Sequence, residues 1–159
     1  MLSKKKLDTI KYLKSEYDRL KDDPNLMNLG CLLGLVNNDI FHWKFSLIGP
    51  QNTPYGEGIF FLTADFPEDY PQGRPEVRFC NKIYHLNVSQ SNGHIGISIL
   101  NNWTPKTPMI DIISGIYVLF YEQNPLSCYS GNMAREYENN RNEFDRKAKE
   151  WTKKYASLN

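Results

Sequence analysis

Apolar residues in the first twenty positions recur at steps of three and four: Leu7, Ile10, Leu13, Tyr17 and Leu20. That period predicts a helix with one apolar face over about residues 3–21. Ser3 is placed to cap it, and Asp23-Pro24 to stop it, because proline disfavours helical backbone in the residue before it. The period then changes to two. In FHWKFSLI (41–48), Phe41, Trp43, Phe45 and Leu47 alternate with His42, Lys44 and Ser46, as in a half-buried strand. GCLLGLV (30–36) precedes it across the turn Asn37-Asn38-Asp39, and IFFLTADF (59–66) and EVRFC (76–80) follow. The loop GPQNTPYGEG and the other short links predict an antiparallel meander of four strands.

From Asn81 to Pro108 neither period is visible. Segments of that length without secondary structure are usually functional in compact domains. Helix signals return with Thr107 as cap, Pro108 at the first position and Asp111 in the first turn. The stretch Met109–Glu122 is apolar nearly all round, which predicts a buried helix. NPLSCYSGN breaks it, and a short helix (133–138) and a last helix (141–155) follow. On the last, Phe144, Ala148, Trp151 and Tyr155 form one stripe. Strands and helices kept apart along the chain indicate the α+β class.

The bulk numbers narrow the function classes. A length of 159 residues suits one domain with one core. A formal net charge of +1 gives no general attraction to nucleic acid or membrane. The basic start MLSKKKLDTI lacks the apolar segment of a signal peptide, and the run Ile112–Tyr121 is short of the roughly 20 residues of a membrane span. Cys31, Cys80 and Cys128 are odd in number, scattered and without a CxxC spacing. We therefore expect no disulfide framework, no metal site and a reducing compartment, cytoplasmic or nuclear. Cys31 and Cys80 are read as packing residues on the first and fourth strands.

An ordered series of short motifs runs through nearly the whole chain: His42-Trp43, Gly49-Pro50, Thr53-Pro54-Tyr55, Asp69-Tyr70-Pro71, Pro75, Tyr84-His85-Leu86-Asn87, Asn92-Gly93, Ile99-Leu100 and Trp103-Thr104-Pro105, closed by NEFDRKAKEWTKKYA. Each is weak alone, but the series resembles the ubiquitin-conjugating enzymes. The resemblance implies one domain over residues 1–159, with an N-terminal helix, a four-stranded meander, a long active-site loop and C-terminal helices. It also implies an activity: ubiquitin or a related modifier is taken from an activating enzyme as a thioester on one Cys. It is then passed to a lysine, usually with a ligase bound. No cofactor is implied.

The resemblance places that Cys in a stretch of the form NG-x-I-C-L-D-I-L. Here the stretch is NG-H-I-G-I-S-I-L, with Gly96 at the Cys position; counting without a gap from Asn87 puts Ile95 there instead. Neither supplies the sulfur a thioester needs. The HPN motif of the family becomes His85-Leu86-Asn87. In the family the Asn amide stabilises the oxyanion, a role typically contributing about 2.7–4 kcal/mol to the transition state. With no thiol at Gly96, we favour the plainer role, in which Asn87 bonds nearby backbone. Ser98 is a weak substitute nucleophile, because an activating base is needed. On an extended segment His94 would share its face, and we read His94 as a solvent-facing residue. Cys128 follows the segment matching the loop beside the catalytic groove, where Ser127 falls at the place of an acid that orients the incoming lysine.

The same resemblance marks partner surfaces. Gln72 stands where ligase-binding relatives have an aromatic residue, a typical interface anchor. Pro105 and Lys106 fall on the second ligase-contacting loop, and Leu32 on the face where ubiquitin binds without a covalent bond. Three readings follow. The first is a non-catalytic variant that binds or regulates a modifier, a conjugating enzyme or a ligase. The second is an active transferase, with Cys128 as acceptor or a native Cys replaced at Gly96. The third is an interaction domain unrelated to modifiers, since a fold does not fix a function.

Overall fold

Trp43, Phe45 and Leu47 on one strand, and Phe60, Leu62 and Ala64 on the next, point to one side of a sheet and are almost wholly buried. This is the inner face of a four-stranded antiparallel sheet in a computed structural model that describes residues 1–158. The chain runs α1 (Lys4–Leu20), α2 (Pro24–Asn28), β1 (Leu33–Val36), β2 (Asp39–Ile48), β3 (Ile59–Asp65), β4 (Glu76–Phe79), α3 (Ser98–Asn101), α4 (Met109–Leu119), α5 (Gly131–Asn139) and α6 (Arg141–Tyr155). Spatial strand order equals chain order, as in a meander. Leu13 and Leu20 of α1, Ile112, Ile113 and Ile116 of α4, and Phe144 and Ala148 of α6 complete one hydrophobic cluster over the inner face. Each large side chain there contributes about 1.5–3 kcal/mol through burial.

The expected α+β architecture is present, and the differences from expectation are local. Asp23-Pro24 does not end α1, which stops at Leu20, but starts α2: the Asp23 carboxylate accepts from Asn25 N at 2.8 Å and Pro24 takes the first helical position. β1 begins at Leu33 rather than Gly30, because α2 and its closing turn occupy the residues before it. Cys31 therefore precedes the strand. It is buried, and burial pushes its thiol up to about 11. Cys80 lies one residue past β4 and is exposed, so it is not a packing residue. β2 begins at Asp39, two residues early, since Asn37 and Asn38 both take positive φ (53° and 57°) and close a two-residue hairpin.

The apolar face of α1 is rotated from its predicted position. Leu7 is largely exposed, whereas Thr9 and Glu16 are buried. Glu16 is held by polar partners that periodicity does not reveal. Its carboxylate accepts from the Tyr70 hydroxyl and from Met109 N, each at 2.8 Å. Met109 is the first residue of α4, so Glu16 caps that helix from another element. Thr107 does not: its N–H and hydroxyl turn to Thr104, and Pro108 is the cap residue itself. α4 ends at Leu119 and buries one face only, leaving Val118 exposed. No helix among the described residues is long and apolar enough to cross a membrane.

Candidate functional site

The segment between β4 and α4 is irregular but tightly held. Gly93 takes φ +76°, and a Cβ there would come within 2.1 Å of the Phe79 carbonyl, so this turn requires glycine. Phe79 N donates to Gly93 O at 2.9 Å, which ties the turn to β4. Two bridges follow, Arg78 with His94 and Val88 with Ile95. The extended run ends at Ile97, and Ser98 is the first residue of α3. The alternation expected to put His94, Gly96 and Ser98 on one face is therefore broken. His94 is half-buried rather than solvent-facing, and Ser98 is exposed.

His85 and Asn87 lie at the centre of this region, both buried. His85 Nε2 donates to the Leu119 carbonyl at 2.7 Å, while Nδ1 accepts from Asn87 N at 3.0 Å. This pairing fits the neutral imidazole, and burial holds its pKa down at about 4 against the opposing pull of the Leu119 carbonyl. With both nitrogens engaged, His85 has no lone pair free to act as a base. Asn87 Nδ2 donates to the carbonyls of Asn124 and Ser127, at 2.8 and 3.1 Å, and Oδ1 accepts from Asn124 N at 2.9 Å. Both amide hydrogens are therefore committed to the segment after α4. Asn124 in turn accepts from Leu126 N and shapes the 3-10 turn Pro125–Ser127.

Gly96 sits under that turn. Its N–H donates to Asn87 O at 2.7 Å. A Cβ at Gly96 would meet Ser127 O at 3.0 Å, so that carbonyl would have to give by a few tenths of an ångström, and the Tyr129 ring at 3.4 Å, in ordinary van der Waals contact. Tyr129 is fixed in turn by its N–H bond to Leu86 O at 3.1 Å. The structure thus brings His85, Asn87, Gly96, Ser127 and Tyr129 together. Cys128 lies between the two residues that flank Gly96 and is half-buried. Leu86 N is bonded to Gln123, which donates to the Tyr55 hydroxyl, which donates to Tyr84 O. Gln123, Asn124 and Tyr129 escape a sequence reading. Asn124-Pro125 carries the one visible signal, a capped turn.

The expected partner residues form two separate groups. Gln72 is exposed on the loop after Pro71, and Pro105 and Lys106 are exposed on the loop after Trp103. Trp103 Nε1 donates to Pro71 O at 2.9 Å, joining these loops into one surface. Gln72 also borders a shallow hollow of about 200 Å³ with Lys5 and Tyr12 of α1. Leu32 is apart from them, on the outer face of the sheet, and 70% exposed.

Comparison with known proteins agrees with this arrangement. The family model described as ubiquitin-conjugating enzyme matches residues 12–152. Among solved structures, the E2 domain of a Toxoplasma gondii ubiquitin conjugating enzyme is 29% identical with a TM-score of 0.79, over 92% of this chain and 97% of that one. A candidate ubiquitin conjugating enzyme from Plasmodium yoelii is 27% identical with a TM-score of 0.84, over 100% of this chain and 99% of that one. The match spans the meander, the buried His85–Asn87 segment and the closing helices alike, and on that ground the chain belongs to the ubiquitin-conjugating enzyme family.

Proposed function

We propose that this protein is a non-catalytic member of its family, one that binds a modifier, a conjugating enzyme or a ligase and regulates conjugation without carrying a thioester. The observation that carries the reading is the surroundings of Gly96. If Gly96 stands at the family's Cys position, the site has no sulfur. It is also narrow, since Ser127 O would lie 3.0 Å from any Cβ there. The amide of Asn87 is spent on the carbonyls of Asn124 and Ser127, so its role is to hold the loop. Partner binding falls to the joined surface of Gln72, Pro105 and Lys106. Activating enzymes, conjugating enzymes, ligases and ubiquitin-like modifiers are the partner classes that membership of the family makes relevant. A cytoplasmic or nuclear setting goes with that reading.

The test is a charging reaction with activating enzyme, ATP and ubiquitin, resolved on gels with and without reductant. No reductant-sensitive adduct is expected. A second reading has one specific support: Cys128 is only half-buried and adjoins the residues over Gly96. An adduct that disappears in Cys128→Ala would establish that reading and overturn the first. Gly96→Cys separates loss of the thiol from loss of the groove. Charging of that variant would show that activating-enzyme docking survives.

A further inference from the structure

The outer face of the sheet is organised in rows that run across the strands. Leu32 stands opposite Ser46, then Phe61, then Cys80; the next row is Gly34, Lys44, Thr63 and Arg78. Side chains of both rows point away from the core, since the alternate residues Phe45, Leu62 and Phe79 are buried inside. Gly34 has no side chain and Ser46 turns its hydroxyl to the Gly30 carbonyl. The rows therefore enclose a depression of about 430 Å³. Leu32 and Phe61 form its apolar rim, 70% and 49% exposed. That volume is in the range of small-molecule sites, which combine an apolar lining with few polar groups.

The polar groups are unequal. Arg78 is paired with Asp65 at 3.6 Å. Lys44, unlike Arg78, lines the depression, and no carboxylate pairs with it among the described residues. Thr63 Oγ1 has no hydrogen-bond partner of regular geometry; its hydroxyl reaches only the Cys80 sulfur, a weak acceptor. An apolar trough with one unpaired cation at its margin is complementary to a ligand with an apolar chain and a single negative charge. Three strand spacings make the trough about 14 Å long, enough for an extended medium-length chain. We propose that this face binds a monoanionic amphiphile of the medium-chain carboxylate class, its chain along the Leu32–Phe61–Cys80 row and its carboxylate on Lys44. The inference stands on this face alone and not on the chemistry at Gly96.

Cys80 provides the readout, because it lines the depression and Cys128 does not. The protein is alkylated with N-ethylmaleimide, and modification of each cysteine is followed by peptide mass spectrometry. Decanoate below its micelle concentration is expected to slow alkylation of Cys80 at least tenfold at saturation and leave Cys128 unchanged. Decyltrimethylammonium is expected to have no such effect. Lys44→Glu should abolish protection by decanoate and confer it on the cation. Gly34→Leu, whose Cβ would meet only the Lys44 side chain, Cε at 3.3 Å and Cγ at 3.7 Å, should fill the trough and also abolish protection. Equal slowing of both cysteines, or protection unchanged in Lys44→Glu, would overturn the proposal. So would protection by ubiquitin and not by decanoate, which would assign the face to a protein partner.

Discussion

Lowering the pH from 7.5 to 5 should weaken the fold through one buried imidazole. His85 is enclosed, its Nε2 proton is given to the Leu119 carbonyl and its Nδ1 accepts from Asn87 N. A second proton would have to displace that N–H and bring a charge into the core. Burial accordingly lowers its pKa from 6.5 to about 4. The unfolded chain begins to bind a proton near pH 6.5, where the native state does not, so the stabilising contribution is complete above 6.5 and declines as pH falls toward 4. The gap between the two values corresponds to about 3.4 kcal/mol in full, of which about 2 kcal/mol is lost by pH 5. A urea slope of 1–3 kcal/mol/M turns that loss into a midpoint shift of about 1 M. The assay is urea unfolding followed by tryptophan fluorescence between pH 7.5 and 4.5, for the native sequence and for His85→Gln, which cannot titrate. Carboxylates affect both proteins alike, so the stability gap between them isolates the imidazole and should narrow by about 2 kcal/mol at pH 5. Parallel curves would refute the reasoning.

Three further outcomes are expected. Glu16→Ala should cost about 3–5 kcal/mol in thermal or chemical unfolding, because the Tyr70 hydroxyl and Met109 N lose a charged, buried acceptor together; Glu16→Gln, which keeps one carbonyl oxygen, should cost clearly less. Asn87→Ala should cost about 2–4 kcal/mol and raise hydrogen exchange selectively over residues 124–129, since three bonds to that segment are removed. Gly93→Ala should cost more than about 2 kcal/mol in urea unfolding, from a positive φ and a Cβ pressed on the Phe79 carbonyl.

The elements that were legible in the sequence are those whose period is enforced by burial on one face. β2 is the best case: Trp43, Phe45 and Leu47 had to alternate because one side of the strand meets the core and the other does not. The failures share a cause. Glu16 and Thr9 are polar residues buried by partners far along the chain, so a rule that equates polar with outward assigns them to the wrong side of α1. Thr107 has the composition of a cap, but capping depends on where the hydroxyl points, and it points to Thr104. At the site, the motif His85-Leu86-Asn87 located the centre of the region. It did not disclose that Asn87 holds the Asn124–Ser127 turn, because Asn124 and Ser127 lie 37 and 40 residues away. Family resemblance locates positions; the commitment of each hydrogen bond is settled only by packing.

The network that fastens the two halves of the site is built wholly from uncharged groups. Tyr55, Gln123, Asn87, neutral His85 and main-chain amides link residues 84–87 to residues 119–127. Dissolved ions screen charges but leave such bonds nearly untouched. The surface pairs of α6, Arg146 with Glu143 and Glu150, are of the opposite kind: exposed and weakened by salt. The molecule thus has a salt-responsive exterior wrapped around a salt-indifferent hub. Concentrated chloride should loosen α6 between Glu143 and Glu150 while leaving amide exchange at Asn87 and Tyr129 unchanged, so that ionic strength and acidity act on different parts of one small protein.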